Sequence, residues 1–171
     1  MLNATLCFLV HGNPPARILL GHKRVGFGLG KWGGVGGKIE AGETPARAAA
    51  REVLEETGVC VHEADLRYVA HLTFLFPHRP EWSQVVYVFT ADRWQGQAQP
   101  SREIIPRWFA VDEIPYDQMW DDCRYWLPDV LIGHTIRAVF TFNHDNDTVE
   151  RVETAHDLLD KQNSGPGAFG R

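Results

Sequence analysis

Residues 37–59 read GKIEAGETPARAAAREVLEETGV, and this stretch decides which fold is to be expected. Thr44 is suited to cap a helix, and Pro45 is suited to its first position, where a missing N–H costs nothing. The residues from 46 to 56 are mostly strong helix formers without an interior glycine or proline. Gly58 then supplies the left-handed residue that commonly ends a helix. The sequence therefore predicts a helix that begins at Pro45 and ends before Gly58.

Three carboxylates share one face of this predicted helix. At about 100° per residue, Glu55 lies about 60° behind Glu52, and Glu56 lies about 40° ahead of it. Carboxylates this close repel one another unless a cation neutralises them. Such a face is either a solvated acidic surface or a metal site. The glycines just before the helix indicate a backbone that approaches something closely; they are Gly33, Gly34, Gly36 and Gly37.

The spacing around the helix matches the Nudix box, Gx5Ex7REUxEExGU with U apolar, at every defined position. The matching residues are Gly37, Glu43, Arg51, Glu52, Val53, Glu55, Glu56, Gly58 and Val59. The chain therefore resembles the Nudix hydrolases, which cleave nucleoside diphosphates linked to another group. The resemblance implies an α+β fold of the α/β/α sandwich type, with a mixed β-sheet between helices. It also favours a metal site over a solvated acidic surface.

The chemistry of these hydrolases explains the residue types. A diphosphate linkage is anionic, and Mg²⁺ offsets that charge through carboxylates and substrate phosphates. A bound metal also polarises phosphoryl oxygens and acidifies water. The resemblance implies that Mg²⁺, with Mn²⁺ as a substitute, binds to the carbonyl of Gly36 and to Glu52, Glu55 and Glu56.

Further roles follow from the same resemblance. Arg51 and Glu43 would orient the carboxylates, and Glu56 or Glu52 would be the general base. Glu103, which lies outside the box, is a further candidate metal ligand.

The similarity continues beyond the box, from about Leu6 to Val152. KRVGFGLGKWGGVGGKIEAGET (residues 23–44) and MWDDCRYW (residues 119–126) resemble the MutT-like branch. This branch includes the oxidised purine nucleoside triphosphatases, which convert nucleotides such as 8-oxo-dGTP to the monophosphate and pyrophosphate and so cleanse the nucleotide pool. The resemblance implies that activity for this chain, with a small nucleotide as its partner.

Two other functions remain open. One is a Nudix pyrophosphatase that acts on ADP-ribose, a dinucleoside polyphosphate or an RNA 5′ end. The other is a non-catalytic nucleotide-binding regulator with the same fold. The complete set of box carboxylates argues against a regulator, while the surroundings of Trp32, Trp120 and Trp126 favour a triphosphatase.

Positions that match this branch predict a substrate pocket. They are Phe8, Lys23, Phe27, Gly33, Val35, Gly37, Lys38, Phe74, Phe76, Trp120, Asp121, Asp122 and Cys123. Stacking on an aromatic ring contributes about 1–3 kcal/mol per base with little regard to its identity, so edge hydrogen bonds must discriminate. Taken singly, Phe74 and Phe76 are also typical of an ordinary core, and their alternation puts them on one sheet face.

Three departures bear on the substrate. The branch has asparagine where Gly33 stands and threonine where Phe8 stands. Its paired aspartates follow Trp-Pro, whereas here they follow Trp120 directly. An ungapped alignment puts Asp122 and Cys123 at the two positions, and a one-residue gap on each side puts Asp121 and Asp122 there. A site without an edge partner discriminates less, so a broader (d)NTP substrate stays open.

Length and composition predict one domain. The chain has 171 residues, 44% of them hydrophobic, which suffices for a proper core. We expect this domain to span residues 1–160, and the glycine-containing residues 161–171 to form a loose tail. The net charge of −5 argues against general nucleic-acid binding. We expect a monomer or weak dimer.

No run approaches the roughly 18 apolar residues of a membrane span, and LCFLV (residues 6–10) lacks the basic leader of a secretory signal. Three cysteines without metal-ligand spacing predict free thiols, with Cys7 and Cys60 in the core. These features favour a cytoplasmic protein.

Alternating and apolar runs predict the remaining elements. The predicted strands are residues 5–10, 17–22, 66–76, 84–92, 107–111, 136–143 and 148–152, and a second helix is predicted over residues 121–134.

Overall fold

The computed structural model describes residues 1–155. Its strands are β1 Leu2–His11, β2 Arg17–Lys23, β3 Trp32–Gly33, β4 Val35–Lys38, β5 Arg67–Leu75, β6 Gln84–Ala91, β7 Ile104–Ala110, β8 Ile136–Phe142 and β9 Val149–Ala155. Its α-helices are α1 Pro45–Thr57 and α2 Cys123–Leu131. The predicted tail, residues 161–171, and the predicted domain end at 160 lie outside these described residues.

The strands form a mixed sheet in the order β3-β2-β1-β6-β5-β8-β9, with β4 beside β1 and β7 beside β2. β1 runs parallel to β6, and β5 runs parallel to β8. β4 lies antiparallel to β1, with Gly37 opposite Thr5 and Gly36 opposite Leu6. This register places the glycine-rich strand directly before α1.

The helices cover opposite faces of the sheet, because successive side chains of β1 point to alternate sides. Between α1 and the sheet lies a core that includes Cys7, Leu9, Ala49 and Val53. Between α2 and the sheet lies a core that includes Phe8, Val10, Trp126 and Leu127. The α/β/α layers expected from the sequence are confirmed.

The predicted signals of α1 are confirmed. The Thr44 side chain accepts a hydrogen bond from the Arg47 backbone N–H, and Pro45 is the first helical residue. Gly58 ends the helix with φ at +78°, and its N–H donates to the Leu54 carbonyl at 2.9 Å. Local sequence therefore fixes both ends of the helix that carries the carboxylates.

The second helix is shorter than predicted. It is predicted over residues 121–134, but it runs from Cys123 to Leu131, and the side chain of its N-cap residue Asp122 makes no capping hydrogen bond. Asp121 instead accepts a hydrogen bond from the Val149 N–H, and Asp122 turns inward to Trp126. Pro128 lies inside this helix.

Three other expectations need correction. β7 begins at Ile104 rather than at Arg107, because its pairing with β2 reaches as far as Lys23 opposite Ile104. Residues 32–33 and 35–38, for which no strand is predicted, form β3 and β4. Cys60 is exposed rather than buried, while Cys7 is buried and all three thiols are free. Within residues 1–155 no helix is long and apolar enough to cross a membrane.

Candidate active site

A cavity of about 820 Å³ lies beside the sheet, between the start of β1, the loops that follow β2 and β5, and the segment before α2. Its carboxylate end is formed by Gly36, Gly37, Glu52, Glu55, Glu56 and Glu103. Its aromatic end is formed by Phe8, Phe27, Phe74, Phe76, Trp82, Trp120 and Phe142. Lys23 and Lys38 also line the cavity. One continuous space therefore joins a charged end to an apolar end.

Arg51 organises the carboxylate end. Its Nε and Nη2 donate to the two carboxylate oxygens of Glu43 at 2.7 and 2.9 Å. Its Nη1 donates to Glu52 at 2.9 Å and to Glu55 at 3.3 Å. The hydrogen bonds from Arg51 lower the pKa of Glu43 to about 2. The guanidinium thus joins three box glutamates in fixed positions.

Glu56 is the most deeply buried of these carboxyl groups, with 5% of its surface exposed. Burial raises its pKa to about 8; Lys23 opposes this shift, whereas Glu52 and Glu103 add to it. Lys23 lies 3.6 Å from Glu103. Glu56, Glu52 and Glu103 therefore act on one another electrostatically, with Lys23 as a nearby cation.

Close approach to backbone requires glycine at position 36, and glycine at position 37 leaves room for a side chain of α1. A Cβ at Gly37 would lie 2.5 Å from the Oε1 atom of Glu52, and a Cβ at Gly36 would collide with the Thr5 carbonyl oxygen. β4 consequently brings its bare backbone against the carboxylates of α1.

These oxygen donors fit a divalent cation. The mutual repulsion that helps to raise the pKa of Glu56 is the kind that a bound cation relieves. Within residues 1–155, no three histidine, cysteine, aspartate or glutamate side chains enclose an ion by themselves. Mg²⁺ tolerates such an open set, because it commonly keeps waters and binds substrate phosphates.

The aromatic end is a set of packed rings. Phe27 stacks on Trp120 with ring centroids 4.9 Å apart and an interplanar angle of 22°. It also meets Trp82 edge-on at 5.1 Å. Phe74 and Phe76 are buried core residues that also line the cavity. These rings offer flat apolar surfaces to a planar ligand.

Asp122 and Cys123 also line the cavity. The carboxylate of Asp122 accepts a hydrogen bond from Trp126 Nε1 at 2.8 Å. Burial raises the pKa of Asp122 to about 6, and the hydrogen bond from Trp126 opposes the shift. This arrangement favours the ungapped alignment, in which these two residues take the positions of the aspartate pair.

Two predicted substrate residues lie outside the cavity lining. Val35 is buried in the core beneath α1. Asp121 lies 3.0 Å from Arg124 and binds the Val149 N–H. Gly33 does line the cavity, and a Cβ there would have no heavy atom within 4 Å.

Sequence reasoning missed Lys31, Trp82 and Phe142, which also line the cavity. Trp82, an aromatic residue inside the polar segment PHRPEWS (residues 77–83), was a usable signal. Phe142 looks like any apolar strand residue. Lys31 looks like any surface lysine.

The geometry agrees with comparisons to known proteins. The NUDIX domain family matches residues 2–130, and the chain belongs to this family as a Nudix hydrolase. Nudix hydrolases generally need a divalent metal.

Two relatives in particular are similar over most of the chain. An oxidized purine nucleoside triphosphate hydrolase of Danio rerio is 39% identical over 159 residues, which cover 92% of this chain and 100% of the relative. The hydrolase of the same name from Mus musculus is 41% identical over 149 residues, 87% of this chain and 93% of the relative. The crystal structure of a MutT protein from Bacillus halodurans has a TM-score of 0.76 at 23% identity, covering 90% of this chain and 97% of its own, and supports the fold alone.

Proposed function

We propose that this protein hydrolyses oxidised purine nucleoside triphosphates such as 8-oxo-dGTP to the monophosphate and pyrophosphate in the presence of Mg²⁺. The observation that carries the proposal is the single cavity, which joins the carboxylate end to the aromatic end. The carboxylate end, with a bound cation, suits a triphosphate, and the aromatic end suits a purine. The two relatives whose names specify this activity support the same substrate class.

In this proposal, the carboxylates of Glu52, Glu55 and Glu56 and the carbonyl of Gly36 would hold Mg²⁺, with Glu103 as a further ligand. When bound, the ion offsets phosphate charge and acidifies water. Arg51 and Glu43 hold the glutamates in place, as their paired hydrogen bonds suggest. Lys23 and Lys38 contribute positive charge beside the phosphates.

The remaining chemistry is proton transfer and positioning. Water attacks the β-phosphorus, and the bond between the α,β-bridging oxygen and that phosphorus breaks. Glu56 or Glu52 accepts the proton of the attacking water, and the nucleoside monophosphate leaves with the bridging oxygen. Both carboxyl groups are largely withdrawn from solvent, with Glu52 13% exposed along its side chain.

The aromatic end binds the base. The base packs against the group of rings that includes Phe27 and Trp120, while Asp122 and Cys123 face its edge. Gly33 contributes no side chain to the edge of the base, so discrimination rests on the remaining polar contacts. The substrate is a soluble nucleotide, which agrees with the cytoplasmic location expected from the sequence.

A substrate panel with Mg²⁺ tests the proposal. It contains 8-oxo-dGTP, 2-hydroxy-dATP, dGTP, ADP-ribose and diadenosine polyphosphate, and the products are separated by chromatography. We expect the highest kcat/KM for an oxidised purine triphosphate, with pyrophosphate released. A higher value for ADP-ribose or the dinucleotide, or orthophosphate as the released product, would refute it.

A further inference from the structure

Lys31 stands at the aromatic end of the cavity, although no part of the proposed reaction uses it. Its neighbour Trp32 bridges to Met119, so residues 31–33 run alongside residues 118–120. The Lys31 backbone is fixed because its N–H donates to Gly28 and its carbonyl accepts from Lys23, both at 2.9 Å. The ammonium lies 4.8 Å from the ring centroid of Trp120.

Asp147, in the turn between β8 and β9, holds that ammonium. The Lys31 Nζ lies 2.8 Å from the Asp147 Oδ1. Asp147 is itself positioned, because Asp145 accepts hydrogen bonds from the N–H groups of Asp147 and Thr148 at 2.9 Å. The long lysine side chain is therefore tethered at both ends.

Lys31 brings a charged hydrogen-bond donor to the aromatic end of the cavity, which Gly33, Asp122 and Cys123 also line. Asp122 accepts a hydrogen bond from Trp126, and Gly33 leaves open space. Burial raises the pKa of the Cys123 thiol, and the positive charge of Lys31 acts in the opposite direction, so the ammonium influences the same end of the cavity. An ammonium group has three hydrogens and no acceptor, and Asp147 takes one of them.

We propose that Lys31 is a specificity-determining residue, whose ammonium donates a hydrogen bond to a carbonyl oxygen on the edge of a purine stacked in the aromatic end. This inference rests on the proposed function. A purine with oxygen at C6 or C8 offers an acceptor to the ammonium. Adenine offers an amino group at C6 and a C–H at C8, which cannot accept.

The test compares Lys31→Met with Lys31→Arg on nucleotides that differ in these oxygens. The panel is dATP with neither oxygen, 8-oxo-dATP with the C8 oxygen, dITP with the C6 oxygen, and 8-oxo-dGTP with both. For each nucleotide, preference is its kcat/KM divided by that of dATP. For the nucleotides that carry the recognised oxygen, we expect Lys31→Met to lower this ratio by roughly ten-fold, mainly through KM. Lys31→Arg keeps the charge and the donors and should retain the preference.

Asp147→Asn is the second variant, because it loosens the tether without removing the ammonium. Its preference should fall between those of the wild type and Lys31→Met. An equal loss for all four nucleotides would indicate a merely structural role and would overturn the inference, as would an unchanged preference in Lys31→Met.

A binding measurement separates this inference from the proposed function. Quenching of tryptophan fluorescence by the corresponding nucleoside monophosphates reports base recognition without turnover. If the wild type hydrolyses none of the triphosphates, the proposed function fails. The ratio of dissociation constants for oxygen-bearing and oxygen-free monophosphates in the wild type and Lys31→Met still decides the role of Lys31.

Discussion

The Asp122 carboxylate accepts a hydrogen bond from Trp126 Nε1 at 2.8 Å, at a position where only 3% of the aspartate surface is exposed. The Cys123 thiol also donates to this carboxylate at 3.9 Å, but such neutral donors offset only part of the cost of burying a charge. The pKa of Asp122 is accordingly raised from 3.8 to about 6, with burial as its largest cause.

This raised pKa predicts a pH-dependent cost to stability. Well below pH 3.8 the carboxyl group is protonated in both the folded and unfolded states, and the cost is absent. Stability is lost as the pH rises from 3.8 through about 6, because the folded state then has to carry a buried charge. Asp122→Asn should therefore raise the free energy of unfolding by about 1–3 kcal/mol at pH 7.5, and by much less near pH 4.

Urea unfolding of the variant and the parent at both pH values measures this difference. Asp112→Asn, at an exposed position, is the control and should show no pH-dependent difference. A variant less stable than its parent at pH 7.5 would contradict the prediction.

Arg51→Lys should reduce kcat/KM by roughly 100-fold, because lysine cannot donate two parallel hydrogen bonds to Glu43. Glu40→Gln is a matched control, since Glu40 is exposed and lies 3.9 Å from the same guanidinium. Its effect should stay within about three-fold, as expected for an exposed ion pair. Steady-state rates of both variants measure the contrast, and equal losses would exclude a special role for the Arg51–Glu43 pair.

Glu56→Gln should reduce kcat by roughly 10²–10⁴-fold, since it removes a candidate base and metal ligand. With its pKa at about 8, the Glu56 carboxyl group is mostly neutral at pH 7 without metal, and glutamine resembles it in shape and charge. The melting temperature without metal should therefore change little.

Added Mg²⁺ should raise the melting temperature of the parent and not that of Glu56→Gln, because ligands stabilise the state that binds them. Glu63→Gln, at an exposed position remote from the cavity, should behave like the parent. Near-normal turnover in Glu56→Gln would refute the assigned role.

Gly33→Asn should increase the 8-oxo-dGTP/dGTP ratio of kcat/KM, because it adds an edge partner to the base pocket. The new side chain should fit, since a Cβ at this position meets no heavy atom within 4 Å. Gly33→Ala supplies the matched control and should leave the ratio unchanged. An unaltered ratio in the asparagine variant would mean that position 33 does not face the base.

The helix α1 and its surroundings could be predicted because their signals are local. Thr44, Pro45 and Gly58 fix the helix ends, and the motif spacing brings Arg51 to Glu43. The start of α2 could not be predicted, because Asp121 accepts a hydrogen bond from the N–H of Val149, which lies 28 residues further along the chain.

The aromatic end of the cavity was harder to predict, because it too depends on contacts between distant parts of the chain. Lys31 donates a hydrogen bond to Asp147, which lies 116 residues further along the chain, and no local sequence pattern predicts such a contact. The exposure of Cys60 was missed because its backbone pairs with Gln95 in an isolated bridge while its side chain faces outward.

The two ends of the cavity differ in how the chain builds them. The carboxylate end comes mainly from one short stretch around α1, whereas the aromatic end collects rings from β1, β5, β8 and three loops. If the aromatic end binds the base as proposed, point changes among those scattered rings would alter which nucleotide is accepted and leave the carboxylate end intact.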